Sequence, residues 1–188
     1  VAEWFWYVFG AAGVLIAGIV SALAARKKPP EAAQIQTPQG ELRWERKHLP
    51  ILVVLDPTVY FWTPDVRAAI DWWNRELGFF AFVFGDEREA GSFQMTSTPG
   101  IVPIAASTAR FHTRLFWDEA GKIQAAPIRV FPHADPGLRE RIIAHELGHV
   151  AGLEHDPEIT ESVMHPVALP SPWILTANDR ERLRKLYG

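Results

Sequence analysis

Five residues of chemical interest fall within one stretch of eleven, His145-Glu-Leu-Gly-His-Val-Ala-Gly-Leu-Glu-His155. His145 and His149 are four apart, so on a helix both imidazoles project from one face and can approach a single ion. Glu146 is offset by about 100° from His145 along that helix, which places its carboxylate beside the ion and not on it. Gly152 can take the left-handed conformation that ends a helix and turns the chain back, bringing His155 round as a third ligand. Three neutral imidazoles leave the fourth position of a tetrahedral zinc ion open for water, the arrangement of a catalytic and not a structural site. Zinc lowers the pKa of such a water to about 7 and can polarise a carbonyl. Glu146 is then placed to take the water's proton and return it to a leaving group, work that typically contributes about 10²- to 10⁴-fold. At about a twentieth per residue type, chance supplies these matches in a chain of this length with a probability on the order of 10⁻⁴.

These side chains need a helix, and the helix needs a scaffold. Asp135-Pro136 is a cap-plus-proline start, and helix formers run from Gly137 to about Ala151. Upstream, Leu49 to Asp56 is apolar, β-branched and short enough for a buried strand. Thr63-Pro64-Asp65 then reads as an N-cap, a proline at the first helical position and a first-turn acid. Val66, Ala69, Ile70, Trp73 and Leu77 recur at helical spacing up to a stop at Gly78. Phe79–Phe84, Gly91–Thr98, Ile101–Ala106, Arg110–Trp117 and Ala125–Phe131 read as further strands, with a turn at Asp118–Gly121. Downstream, Thr176 with Asp179 forms a helix-start pair, and Leu183, Leu186 and Tyr187 give a last helix its apolar face. Arg180, Arg182, Arg184 and Lys185 read as that helix's solvated side. The fold class is α+β, with a long helix packed on a sheet.

The 188 residues suffice for one ordinary domain and an extra segment. A formal charge of −3 gives no basic face for nucleic acid. The absence of cysteine excludes disulfides, thiolate metal sites and a cysteine nucleophile. No Gly-x-Ser-x-Gly elbow is present. Trp4 to Ala25 carries no charge and as a helix would span about 33 Å, close to the hydrocarbon thickness of a bilayer. Trp4, Trp6 and Tyr7 flank one end as an aromatic belt, and Arg26, Lys27 and Lys28 flank the other. Residues 1–28 are therefore expected to be a single-pass membrane anchor or signal-anchor, in preference to a cleaved signal peptide, because no basic n-region precedes the apolar run. Gly13, Ala17, Ser21 and Ala25 recur every four residues, a stripe through which the anchor could weakly self-associate. The flanking charges favour the cytoplasmic side for the rest of the chain. Residues 29–40, rich in Pro, Ala and Gln, read as an exposed linker, and 41–188 as the folded domain.

The pattern His145-Glu146-x-x-His149-x-x-Gly152-x-x-His155 resembles the zinc signature of the metzincin peptidases. Ser162-Val163-Met164-His165-Pro166 is similar to their methionine turn. Asp156 directly after the third histidine, the short gap to Met164, and the closing run from Leu175 to Gly188 resemble the matrixins, the matrix-metallopeptidase group and its bacterial relatives. The resemblance implies a metzincin-like zincin domain behind the N-terminal transmembrane helix: a mixed twisted sheet packed with a long helix, a metal-binding helix, the methionine turn and a C-terminal helix. It implies one catalytic zinc on His145, His149 and His155, Glu146 as general base and acid, and Met164 as a floor that does not ligate. It also implies zinc-dependent endopeptidase activity on protein or peptide substrates. The stretch after the methionine forms a wall of the substrate pocket in the family, which here makes Val167, Leu169 and Trp173 candidates, with Trp173 equally readable as core. The family favours an extracytoplasmic location, against the charge asymmetry.

Two departures qualify the resemblance. His165 stands where matrixins usually carry tyrosine, and no His/Asp-rich loop is present to hold calcium or a second zinc. His48, His112, His133, Asp86, Glu87, Asp118 and Glu119 are scattered without ligand spacing, so no motif supports a second site. Two other functions are compatible with the motif. One is a non-catalytic, membrane-tethered zinc-fold binding or assembly module, against which the retained Glu146 argues. The other is a zinc hydrolase of non-peptide substrates, since the metal-water chemistry is shared.

Overall fold

The computed structural model describes residues 42–79, 81–85, 99–108, 111–167 and 173–188. The N-terminal apolar segment, the linker, the expected strand Gly91–Thr98, Asp86, Glu87 and Leu169 lie outside the described residues. Among the described residues, no helix is long and apolar enough to cross a membrane.

Strand β1 (Ile51–Leu55) lies inside a five-stranded sheet with β2 (Phe82–Phe84), β3 (Ile101–Ala106), β4 (His112–Thr113) and β7 (Ile128–Val130), in the order β2-β1-β3-β7-β4. β1, β2, β3 and β7 run parallel, while β4 pairs antiparallel to β7 with His112 opposite Arg129. A two-stranded ribbon, β5 (Phe116–Trp117) and β6 (Ile123–Ala125), stands beside it. Helix α1 (Thr63–Leu77) buries Val66, Ala69, Ile70, Trp72 and Trp73, and packs on α2 (Arg139–Val150). Helix α3 (Ala177–Tyr187) closes the domain with Leu183 and Leu186 buried.

The α+β architecture stands as expected, with local differences at element ends. Thr63 does not cap α1; its hydroxyl donates to Tyr60 O at 2.7 Å. The cap lies earlier, where Asp56 accepts from Thr58 N at 2.9 Å and starts a 3-10 segment, Pro57–Trp62, that runs into α1. The expected strand Ala125–Phe131 is interrupted at Ala126-Pro127, because proline lacks the N–H a ladder needs. Its two halves join different sheets. Arg110–Trp117 is likewise split into β4 and β5. The turn between β5 and β6 is held by Asp118, whose carboxylate accepts from Ala120 N and Lys122 N at 2.9 and 3.0 Å.

The core is contiguous from the sheet to the metal-motif helix. Trp44, Trp62, Trp73, Ile104, Ile128, Ile143, Leu147 and Met164 are all fully buried in it. Two indole N–H groups tie distant segments to α2. Trp73 Nε1 donates to Ala144 O at 2.8 Å, and Trp44 Nε1 to Val150 O at 2.8 Å. Both bonds fix the helix backbone at either end of the segment that carries His145 and His149.

Candidate metal centre

The motif helix begins as the sequence suggests. Asp135 accepts from Gly137 N at 2.9 Å, a 3-10 turn Pro136–Leu138 follows, and α2 runs from Arg139 to Val150. Its C-terminus turns at Gly152, whose φ of 90° lies in the left-handed region. A Cβ there would overlap the backbone oxygen of Leu42. Leu153 N then donates to Gly148 O at 3.0 Å, and the chain returns past α2 to place His155 opposite the two helical histidines.

One ligand atom from each of His145, His149 and His155 lies within 4.8 Å of the others. Nε2 of His149 stands 3.1 Å from Nε2 of His145 and 3.2 Å from Nε2 of His155. The contact between His145 and His149 is not a hydrogen bond of the ordinary kind. His145 Nδ1 lies 2.8 Å from Val163 O and His149 Nδ1 2.9 Å from Leu153 O. A carbonyl can only accept, so both Nδ1 atoms carry the proton and both Nε2 atoms present lone pairs to each other. Converging lone pairs call for a cation. Two nitrogens each about 2.0–2.1 Å from one tetrahedral zinc ion stand about 3.3 Å apart, close to what is seen. Burial, with a smaller contribution from the neighbouring His149, pushes His145 down to about 4, and burial lowers His149 as well, so both stay neutral ligands. The donor set fits zinc, and Val163 O and Leu153 O are the acceptors that orient it.

Glu146 lies beside this cluster and is 4 % exposed. Burial raises its carboxyl to about 7, against the lowering effect of a hydrogen bond from Thr113. Thr113 was not singled out by the sequence; its hydroxyl lies 2.6 Å from Glu146 Oε2. Only the pairing of β4 with β7 brings residue 113 to residue 146, and no local pattern encodes that.

Met164 is completely buried, and its backbone is held by Ser162, whose Oγ accepts from Met164 N at 3.0 Å. The close approach of Met164 to α2 requires glycine at 148, where a Cβ would overlap the Met164 sulfur. The turn is anchored from both sides: Arg141 donates to Ser162 O at 3.0 Å, and Asp156 N to Met164 O at 3.0 Å.

A cleft of about 660 Å³ opens over the cluster, lined among others by Phe111, Thr113, Leu138, Ile142, Glu146 and His165. Of the expected pocket-wall residues, Val167 is exposed, and its N–H donates to His165 Nδ1 at 3.2 Å. Trp173 packs on Trp72 with ring centroids 4.3 Å apart, against the core, and among the described residues neither it nor Val167 lines the cleft. His165, which the sequence marked only as a departure from the family, does line it. Among the described residues the three-histidine group is the one cluster with metal-holding geometry, and His48, His112 and His133 do not join it.

The matrixin family model matches residues 92–188, just over half of the 188 residues. The chain belongs to the matrixin family of metzincin peptidases. A curated relative, matrix metalloproteinase-A of Caenorhabditis elegans, is 40 % identical over 47 residues, which are 25 % of this chain and 9 % of that protein. The matched stretch is therefore a small part of that relative's length. Among solved structures, high choriolytic enzyme 1, a hatching enzyme zinc-protease from the medaka fish Oryzias latipes, shares 14 % identity. The match covers 61 % of this chain and 50 % of that one at a TM-score of 0.39.

Proposed function

We propose that residues 41–188 are a zinc-dependent endopeptidase that hydrolyses peptide bonds of protein substrates, with Glu146 as general base and then general acid. The observation that carries this reading is the convergence of three imidazole Nε2 atoms beside a buried carboxylate in one open cleft. His145, His149 and His155 would hold the metal. Zinc, when bound, supplies Lewis acidity toward a carbonyl oxygen and acidifies water. Glu146 accepts a proton from the attacking water and delivers it to the amide nitrogen as the C–N bond breaks, so the elements of water are added across that bond. Burial raises this carboxyl to about 7 in the metal-free site, and a dication held by the three histidines would draw it back toward the ionised form that accepts a proton. Phe111, Leu138 and Ile142 give the cleft an apolar side where a substrate side chain can lose its water. Met164 supports the floor from beneath and takes no part in proton transfer.

The full chain is expected to contain about one zinc and to cleave an unstructured protein such as casein. Glu146→Ala keeps the metal and loses activity by about 10²- to 10⁴-fold. A variant that cleaves as well as the parent rules out the assigned base.

Residues 1–28 are proposed to tether this domain to a membrane through the linker 29–40, on the strength of the uncharged run from Trp4 to Ala25 and its flanks. Alkaline carbonate should leave the chain in the membrane pellet, and protease access to sealed vesicles reports which side the domain occupies. Release into the supernatant would refute the tether.

A further inference from the structure

Thr113 ends β4, an edge strand whose ladder partner among the described residues is β7. Its hydroxyl reaches across to α2 and meets Glu146 twice, 2.6 Å from Oε2 and 3.2 Å from the backbone oxygen. A hydroxyl has one proton to give, and the shorter contact, to a carboxylate, takes it. Glu146 Oε1 makes no hydrogen bond among the described residues, and Glu146 and Thr113 both line the cleft. The two carboxylate oxygens are thus unequal: one is engaged by the scaffold and the other is left for chemistry.

We propose that Thr113 is a positioning residue for peptide hydrolysis, holding Oε2 so that Oε1 is the oxygen presented to the cleft. This rests on Glu146 being the base. A glutamate side chain has three torsions to fix, and an effective base must be held in one geometry before the substrate arrives. The β4–α2 contact supplies that restraint at the reacting residue itself. Nothing in the three-histidine motif encodes it, because the partner sits 33 residues upstream.

The test compares Thr113→Val, which keeps the shape and deletes the hydroxyl, with Thr113→Ser, which keeps the hydroxyl, both in the full zinc-loaded chain. Thr113→Val is expected to lower kcat by about 10- to 100-fold with KM and zinc content unchanged. Thr113→Ser should recover most of that loss. A purely structural contact would instead shift the urea midpoint and leave kcat of the folded fraction alone. Independently of activity, the metal-free parent should show by NMR a Thr113 hydroxyl proton protected from solvent exchange and close to the Glu146 side chain, absent in Glu146→Ala. Parental kcat in Thr113→Val, an equally impaired Thr113→Ser, or an unprotected hydroxyl would each overturn the assignment. A parent that binds zinc and shows the protected proton but cleaves no peptide overturns the peptidase reading, and the role of Thr113 with it. A parent that cleaves, together with a Thr113→Val variant that cleaves equally well, overturns the role of Thr113 alone.

Discussion

At the scale of single residues, the metal-free site sets the titrations of two histidines, His145 and His149, against that of Glu146. His145 sits at about 4 against an ordinary value of 6.5, a depressed pKa. Its contribution to stability is present above 6.5 and is lost as pH falls through 4. Glu146 sits at about 7 against 4.5, a raised pKa, so its contribution is present below 4.5 and lost as pH rises through 7. Each shift corresponds to about 3 kcal/mol when fully developed. The two slopes oppose one another between pH 4.5 and 6.5. His149, which burial also lowers, adds to the histidine side, so the urea midpoint of the metal-free parent should fall on acidification across that window, less steeply than the two histidines alone would make it. Glu146→Gln removes the opposing slope, and its midpoint should fall more steeply on acidification than the parent's. Parallel profiles for the two proteins would contradict the balance.

At the scale of elements, the decisive event is the turn that follows α2. Gly152 takes φ of 90° while the backbone of Leu42 lies against its Cα, so both conformation and space demand glycine. Gly152→Ala imposes the left-handed penalty of about 1–2 kcal/mol together with a clash against main chain, which cannot swing away as a side chain could. The expected result is a loss of more than about 2 kcal/mol in urea unfolding. Zinc affinity should weaken in parallel, because the same turn delivers His155. A variant that loses stability but binds zinc as the parent does would show that His155 is positioned from elsewhere. The capping box of α3 works at this scale too: Asp179 accepts from Thr176 N at 3.2 Å while Thr176 Oγ1 accepts from Asp179 N at 3.1 Å. It fixes the C-terminal helix just after Leu175 and the bridge of Ile174 to Ser162 that borders the methionine turn.

At the scale of the whole domain, Tyr187 joins its beginning to its end. Its hydroxyl donates to Ala151 O at 3.1 Å and accepts from Trp44 N at 3.3 Å, linking α3, the end of α2 and the first described segment. Arg46 adds bonds to Tyr187 O and Gly188 O at 2.8 and 2.9 Å. Burial raises the Tyr187 phenol from 10.0 to about 12. A raised pKa means that the stabilisation is intact below 10 and is lost as pH climbs through 12. Tyr187→Phe leaves a buried N–H and C=O without their partner, which should cost about 1–3 kcal/mol at neutral pH. It should also flatten the alkaline loss seen in the parent. Equal urea midpoints for the two proteins at pH 7 would refute this account of the closure.

Much of the metal site was legible in the amino-acid sequence, because helical geometry fixes it locally. The spacing of His145 and His149, the offset of Glu146 and the stop at Gly152 all follow from 3.6 residues per turn and the left-handed tolerance of glycine. The caps at Asp135 and Thr176 were readable for the same reason, since each bond spans two or three residues. Local rules failed where another local partner competed or a donor was missing: Thr63 gave its hydroxyl to Tyr60 O three residues back, and Pro127 broke a continuous strand. The second layer of the site was decided by the tertiary structure. Val163 O meets His145 across 18 residues, and Thr113 meets Glu146 across 33. A carbonyl or a hydroxyl is available at almost any position, so its type carries no signal. Which one faces a given imidazole or carboxylate is settled only when sheet, helix and methionine turn pack together.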